Sequence, residues 1–326
     1  MKSKKIHISR FSKRIRVGIT MGDPSGIGSE IIARSLTSLG RIADFTVIGD
    51  AFVFSKVASC VRRKLVCSFV DLHNVRRMGF SFGTIKAEYG KASVEYLDKA
   101  MDLLKDTQLD CLVTAPISKE ALSLAGISLT GHTEYLTRAT SAKRVVMMLL
   151  NKFLKISLVT RHLPLQQVSR SIHKRLIVET LLRTREALST LFLIRKPRIV
   201  MCGLNPHASD NGVLGPEERS IIIPALRGIG RKGTVDGPLS ADVALYKLLH
   251  KEYDAAVAMY HDQALIALKL LDASTGVNMT LGLPFVRTSP LHGTAFDIAG
   301  KGCANALPMQ AAIQTAIQCC VNLKNA

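Results

Sequence analysis

From Ile15 onward the chain alternates short apolar runs with longer amphipathic stretches. That alternation predicts parallel strands joined by crossover helices, an α/β chain. Strands are expected over 16–20, 45–48, 65–70 and 111–114, with helices after Ser25, near Ala51 and over 87–105. A second series follows, with strands over 145–150, 155–160, 198–202 and 255–259 and helices over 173–189 and 241–249. No repeat or low-complexity linker separates the two series. An apolar helix over 309–323 ends the chain and must pack on something already built, so a first domain that reclaims the C-terminus is expected.

With 326 residues, 47% of them hydrophobic, the chain can bury two domain cores. The apolar run 145–150 is broken by Asn151 and Lys152, far short of the roughly 20 residues a membrane-spanning helix needs. The seven cysteines, Cys60, Cys67, Cys111, Cys202, Cys303, Cys319 and Cys320, form no CxxC pair and suit a reducing, cytoplasmic location. A net charge of +19 admits nucleic acid, an anionic surface or an anionic substrate as partner. Dispersed Lys and Arg, 5% aromatic residues, no Trp and no nucleic-acid-binding motif argue against the first. The excess reads as background plus steering of phosphate ligands. Residues 1–16 hold seven basic and no acidic side chains without the apolar stretch of a secretory signal, so 1–15 is read as a solvated tail.

Three histidines, His162, His207 and His261, each follow a predicted strand at its carboxyl end. In an open parallel sheet those ends share a rim where ligand crevices form, so imidazoles distant in sequence can converge. Three neutral imidazoles can hold a divalent ion with positions left for a substrate hydroxyl. Asp242, opening a helix after 237–240, can add a carboxylate or orient a ligand. Any one of these histidines alone reads as a turn residue; three after three strands favour a site. His7, His73, His173 and His250 lie in surface contexts and receive no role.

Anion handles come next. The loop 22–28, GDPSGIG, follows a strand and opens a helix; a tight turn and an anion site are equally open readings. Gly131-His132-Thr133-Glu134 precedes another helix and offers an imidazole and a hydroxyl beside free N–H donors, although Thr133 can simply be a cap. Lys269, Asn278 and Arg287 follow His261, the last two within 275–290, a stretch too mixed for a regular helix. Lys and Arg converging on a phosphate supply point charge and fork geometry.

Eight motifs in order, MGDPSGIGSE, TAPISKEAL, GHTEYL, RHLPL, NPHASDNG, GPLSAD, MYHDQALIALK and GVNMTLGLPFVRTS, resemble the 4-hydroxythreonine-4-phosphate dehydrogenase family over about residues 15 to 310. The segment 290–305 is similar to the NAD-adenosine loop of isopropylmalate dehydrogenases. The resemblance implies two α/β/α domains with mostly parallel sheets of the isocitrate/isopropylmalate dehydrogenase type, divided as 16–129 plus 296–326 and 130–295, with the active site in the cleft between them. It implies His162, His207 and His261 as metal ligands, for Zn, Mg or Co, and His132, Thr133, Lys269, Asn278 and Arg287 as substrate ligands. For the cofactor, NAD or NADP, it implies His292, Gly293, Thr294, Asp297 and Asn305. A homodimer with shared active sites is implied as well. Ala264, Ser209 and Leu291 depart from the family pattern, in loop geometry and cofactor contacts rather than in the histidine triad.

The implied reaction oxidises 4-phosphohydroxy-L-threonine to 2-amino-3-oxo-4-phosphooxybutanoate, which decarboxylates to 3-amino-2-oxopropyl phosphate on the way to pyridoxal 5'-phosphate. Asp242, Lys119 and a metal-bound water remain open as acceptor of the hydroxyl proton. The nearest rival is a paralogous dehydrogenase of 4-phospho-threonate or 4-phospho-erythronate. A rival of another class is a non-catalytic basic protein binding phosphorylated ligands or nucleic acid.

Overall fold

Strand β1 (Arg16–Thr20) is buried almost from end to end, as a strand covered on both faces must be. In the computed structural model, which describes residues 14–58, 65–129, 131–229 and 235–325, it pairs in parallel with β2 (Asp44–Gly49) and β4 (Cys111–Thr114). The tail read over 1–15 lies almost wholly outside the described residues. Strand β3 (Ser68–Asp71) extends β2, giving the order β3-β2-β1-β4. Helices α1 (Gly28–Leu39) and α2 (Ala51–Ala58) make the first two crossovers and pack together. Helix α3 (Ala87–Lys105) returns the chain from β3 to β4, and right-handed connections put it on the opposite face. The order reverses between β1 and β4, the place where α/β sheets open a crevice at their carboxyl ends.

Two short helices, α4 (Lys119–Leu124) and α5 (His132–Ala139), lead into β5 (Val146–Leu150) and β6 (Lys155–Leu158). After α6 (Leu165–Ser171) and α7 (Lys174–Thr190) come β7 (Ile199–Cys202), α8 (Ile223–Arg227), β8 (Val235–Leu239), α9 (Ala241–Leu249), β9 (Ala255–Ala258) and α10 (His261–Asp272). The stretch 275–290 forms a hairpin, β10 (Val277–Leu281) and β11 (Val286–Pro290). Its composition hides it: β10 alternates apolar and polar residues, while β11 buries Arg287, Thr288 and Ser289. β11 pairs with β4 and β10 with β5, so the hairpin stitches the two blocks into one eleven-stranded sheet, β3-β2-β1-β4-β11-β10-β5-β6-β9-β7-β8. All pairings are parallel except β5–β6, β5–β10 and β10–β11.

The core lies in three clusters. One gathers β1, β2, β4, α1 and α3 with the last helix, α11 (Leu307–Lys324), whose Met309, Ile313 and Ala316 are fully buried. The other two flank the β6-β9-β7 block. Among the described residues no helix is long and apolar enough to cross a membrane.

Gly22, just past β1, fixes the crevice floor. Its φ is +70°, and a Cβ there would lie 2.2 Å from the carbonyl oxygen of Pro116. Gly22→Ala is therefore expected to cost about 3 kcal/mol or more, read as a lower urea midpoint at unchanged slope. Gly79→Ala is the control: φ is +78° but a Cβ would meet nothing within 4 Å. That change should cost about 1 kcal/mol.

Candidate active site

Strands β6, β9, β7 and β8 are consecutive neighbours and all parallel, so their carboxyl ends share one rim. His162 follows β6, His261 opens α10 after β9, His207 follows β7, and Asp242 lies in the first turn of α9 after β8. The rings of His162 and His261 face each other with centroids 5.5 Å apart. Burial of its ring, then the positive charge of Lys119, lowers the pKa of His162 and keeps it a neutral donor. His207 and Asp242 stand further along the rim, both exposed. The Ser240 hydroxyl first, and the His207 charge last, hold the Asp242 carboxyl below its ordinary range. Among the described residues no three His, Cys, Asp or Glu side chains form a metal-holding group. One chain thus brings two of the three expected imidazoles together and leaves His207 apart from them.

His207 is presented by an unusual turn. Residues 207–211 all have φ between +43° and +72°, a left-handed run that only strong anchoring sustains. The anchor is Glu218, 1% exposed, whose Oε1 accepts the N–H groups of Leu204 and Asn205 at 2.8 Å each. Its Oε2 accepts the Asn205 amide at 2.8 Å. Gln263 ties this loop to the His261 helix: its amide donates to the Gly203 carbonyl at 2.9 Å, and its oxygen accepts the Met259 N–H at 2.8 Å. Asp262 accepts from His261 Nδ1 at 2.7 Å, fixing that ring. Glu218 and Gln263 were not foreseen from sequence; a Glu within 216–222 and the Gln after His261-Asp262 were the available signals.

The second half of the site is a buried cation. Arg287 is 1% exposed and donates to the hydroxyls of Thr280 at 3.1 Å and Thr114 at 2.6 Å, while its Nε has no partner. Burial lowers its pKa to about 10, partly offset by Glu134, so the guanidinium stays charged at neutral pH. Glu134 is engaged by Arg161 at 3.7 Å, and among the described residues no carboxylate pairs with Arg287. Beside it His132 is neutral, its pKa pushed well down by burial and by the Arg287 charge. Its Nε2 is sealed from solvent without a partner, as is Oδ1 of Asn278 on β10. Thr133 is buried in the first turn of α5, where backbone N–H groups are unpaired. Lys269 does not join this cluster: it lies exposed on α10, eight residues beyond His261. An unpaired buried charge is expensive, and an anion would satisfy the Arg287 Nε–H, while Asn278 Oδ1, an acceptor, calls for a hydroxyl or ammonium donor on the same ligand.

The segment 291–306 crosses the crevice as turns. His292 Nδ1 donates to the Gly293 carbonyl at 3.3 Å, and its Nε2 is another sealed atom without a partner. Gly293, Asp297 and Asn305 are exposed, Thr294 half-buried, and Asn305 Oδ1 accepts the Leu307 N–H at the start of α11. The loop 22–28 resolves as a turn. The N–H groups of Asp23, Ser25, Gly26 and Ile27 are taken by Pro116 O, Asp23 Oδ1, Asp23 O and Thr294 O, so four of the loop's six donors serve the turn.

The family model for pyridoxal phosphate biosynthetic protein PdxA matches residues 33–316. The chain is 40% identical to 4-hydroxythreonine-4-phosphate dehydrogenase of Sulfurihydrogenibium sp. (strain YO3AOP1), over 93% of this chain and 98% of that one. It is 39% identical to D-threonate 4-phosphate dehydrogenase of Cupriavidus necator (strain ATCC 17699), over 89% and 92% of the two chains. A crystal structure of 4-hydroxythreonine-4-phosphate dehydrogenase from Klebsiella pneumoniae superposes with a TM-score of 0.83 at 33% identity, covering 96% of this chain and 99% of that one.

Proposed function

The chain belongs to the family of pyridoxal phosphate biosynthetic protein PdxA, and on that premise we propose that it oxidises 4-phosphohydroxy-L-threonine with a nicotinamide cofactor. The product, 2-amino-3-oxo-4-phosphooxybutanoate, is a β-keto acid that loses carbon dioxide to give 3-amino-2-oxopropyl phosphate. The observation that carries this reading is Arg287: a fully buried guanidinium with a free Nε, beside a neutral His132 whose Nε2 has no partner. That arrangement is built for an anionic substrate and idle without one.

In this reading Arg287, His132 and the α5 amides at Thr133 hold the substrate's anionic groups, and Asn278 orients its polar backbone. His162, His207 and His261 hold a divalent cation, Zn, Mg or Co. The paired rings of His162 and His261 and the neutral state of His162 fit that donor role. Held there, such a cation would supply Lewis acidity toward the C3 hydroxyl, and a nicotinamide would supply the hydride acceptor. His292, Gly293, Thr294, Asp297 and Asn305 line the dinucleotide, NAD or NADP. Asp242 stays ionised beside His207 and can accept a proton or orient that imidazole.

A second copy of the chain completes the site. Around the histidine rim Leu163, Val213 and Tyr246 are exposed, Val213 at 82%, and Leu270, in the last turn of α10, is 83% exposed. Apolar exposure of that extent next to an incomplete ligand set favours a homodimer with shared sites, which would also bring a partner onto the Lys269 face of α10. The division into 16–129 with 296–326 and 130–295 belongs to the same proposal, as does a cytoplasmic location, which the free thiols of the described cysteines suit.

The D-threonate 4-phosphate relative supports a second substrate reading, in which a hydroxyl replaces the amine at C2. NADH formation with 4-phosphohydroxy-L-threonine, 4-phospho-threonate and 4-phospho-erythronate, each with and without chelator, separates the two. Turnover of the amino acid at ten times or more the kcat/KM of the others is expected. Phosphate or RNA binding without turnover after adding divalent metal would replace the enzyme reading with a basic binding protein.

A further inference from the structure

Helix α1 touches the 291–306 segment through Ile27, Glu30, Arg34 and Ser35, the last donating its hydroxyl to the Ala306 carbonyl at 3.4 Å. The N–H of Ile27 donates to the Thr294 carbonyl at 3.0 Å. One turn on, Glu30 Oε1 accepts the N–H of Ala304 at 2.9 Å and lies 3.4 Å from Arg34 Nε. Arg34 then donates from both terminal nitrogens to the carbonyls of Gly302 and Ala304. Between these anchors, 295–303 contains neither strand nor helix, and two of its glycines, Gly300 and Gly302, sit at φ of +75° and +70°. Internal turn bonds hold only its middle, from the N–H groups of Ile298, Ala299 and Lys301 to Ala295 O, Phe296 O and Ile298 O, so its two ends depend on α1.

Glu30 is 2% exposed, and its second oxygen has no partner. An apolar residue would fill that place in α1, between Ile27 and Ile31, at lower cost. The ion pair therefore has a use other than packing. It holds the backbone immediately before Asn305, while Ile27 holds Thr294 next to His292 and Gly293; these are the positions assigned above to the dinucleotide.

We propose that Glu30 and Arg34 are positioning residues for the dinucleotide, acting through the Gly302–Ala304 backbone rather than by touching the ligand. The inference rests on the cofactor reading given under Proposed function. A rigid loop pays its ordering entropy on folding instead of on binding, so loosening it weakens the cofactor selectively.

The test uses the full chain and calorimetric titration with NAD and with NADP, together with hydrogen exchange of the Gly302–Asn305 amides and steady-state kinetics. Arg34→Ala is expected to weaken the preferred dinucleotide about tenfold and raise its KM to match. The KM for the phosphorylated substrate and kcat should stay within about twofold, and exchange at the Ala304 amide should quicken. Arg34→Lys keeps the charge and loses the fork, so it should fall between. Glu30→Gln keeps an oxygen for the Ala304 N–H and should rescue most of the loss that Glu30→Ala causes. Faster exchange with unchanged dinucleotide affinity, or equal rises in both KM values, overturns the proposal. If the wild-type chain binds neither dinucleotide, the cofactor reading itself has failed; if it binds and the variants bind as well, only the role of this pair has.

Discussion

His207→Ala is expected to lower kcat/KM by about a thousandfold, His261→Ala to do the same, and an equimolar mixture of the two inactive variants to recover about a quarter of wild-type activity. The single-variant losses follow from removing one imidazole of three, which leaves the cation with too few ligands to stay or to act. Recovery in the mixture is the sharper claim. In one chain His162 and His261 meet at 5.5 Å, while His207 leaves β7 on a separate left-handed turn and joins no ligand group. If the set is completed across two copies, random exchange makes half the dimers mixed, and each mixed dimer holds one intact and one doubly defective site. If each chain supplies its own set, no mixture contains an intact site and activity stays at the level of the single variants. Incubation at a concentration that permits subunit exchange, followed by an NADH assay, reads the difference. A chelator should abolish the recovered activity along with that of the wild type.

How far the sequence foretold this site depends on whether the signal was local. β1 and β4 are visible because a strand covered on both faces must read as a short continuous apolar run. The histidines are visible because each follows such a run, and the neighbouring order β6-β9-β7 puts them on one rim. β11 is hidden because it buries three polar side chains in a row, Arg287, Thr288 and Ser289, where a covered strand would be expected to read apolar. Glu218 and Gln263 are hidden for a different reason: Gln263 reaches the Gly203 carbonyl only once β7 and β9 lie side by side, and Glu218 meets the Leu204 and Asn205 N–H groups only once the loop after β7 has folded back. The loop 22–28 carried two readings that composition could not separate, since glycines serve a tight turn and an anion nest alike. Counting where its N–H groups go favours the turn, because Pro116, Asp23 and Thr294 take four of the six donors.

Arg287→Met is expected to abolish turnover and at the same time to leave the protein as stable as the wild type or about 1–3 kcal/mol more stable. The guanidinium is 1% exposed, its charge is not neutralised by any carboxylate among the described residues, and its neighbours Thr114 and Thr280 offer it only hydroxyls. Folding such a group costs free energy that a methionine of similar length would not. That cost makes sense only if an anion recovers it on binding. Loss of the fork should lower kcat/KM by about a thousandfold, and Arg287→Lys, which keeps charge without planar geometry, should recover only a small part. Inorganic phosphate gives a reading independent of catalysis: at tens of millimolar it should raise the melting temperature of the wild type and leave that of Arg287→Met unmoved. A Met variant that unfolds several degrees earlier would mean that Arg287 is a structural strut between β4 and β10. Phosphate protection persisting in that variant would place the anion elsewhere.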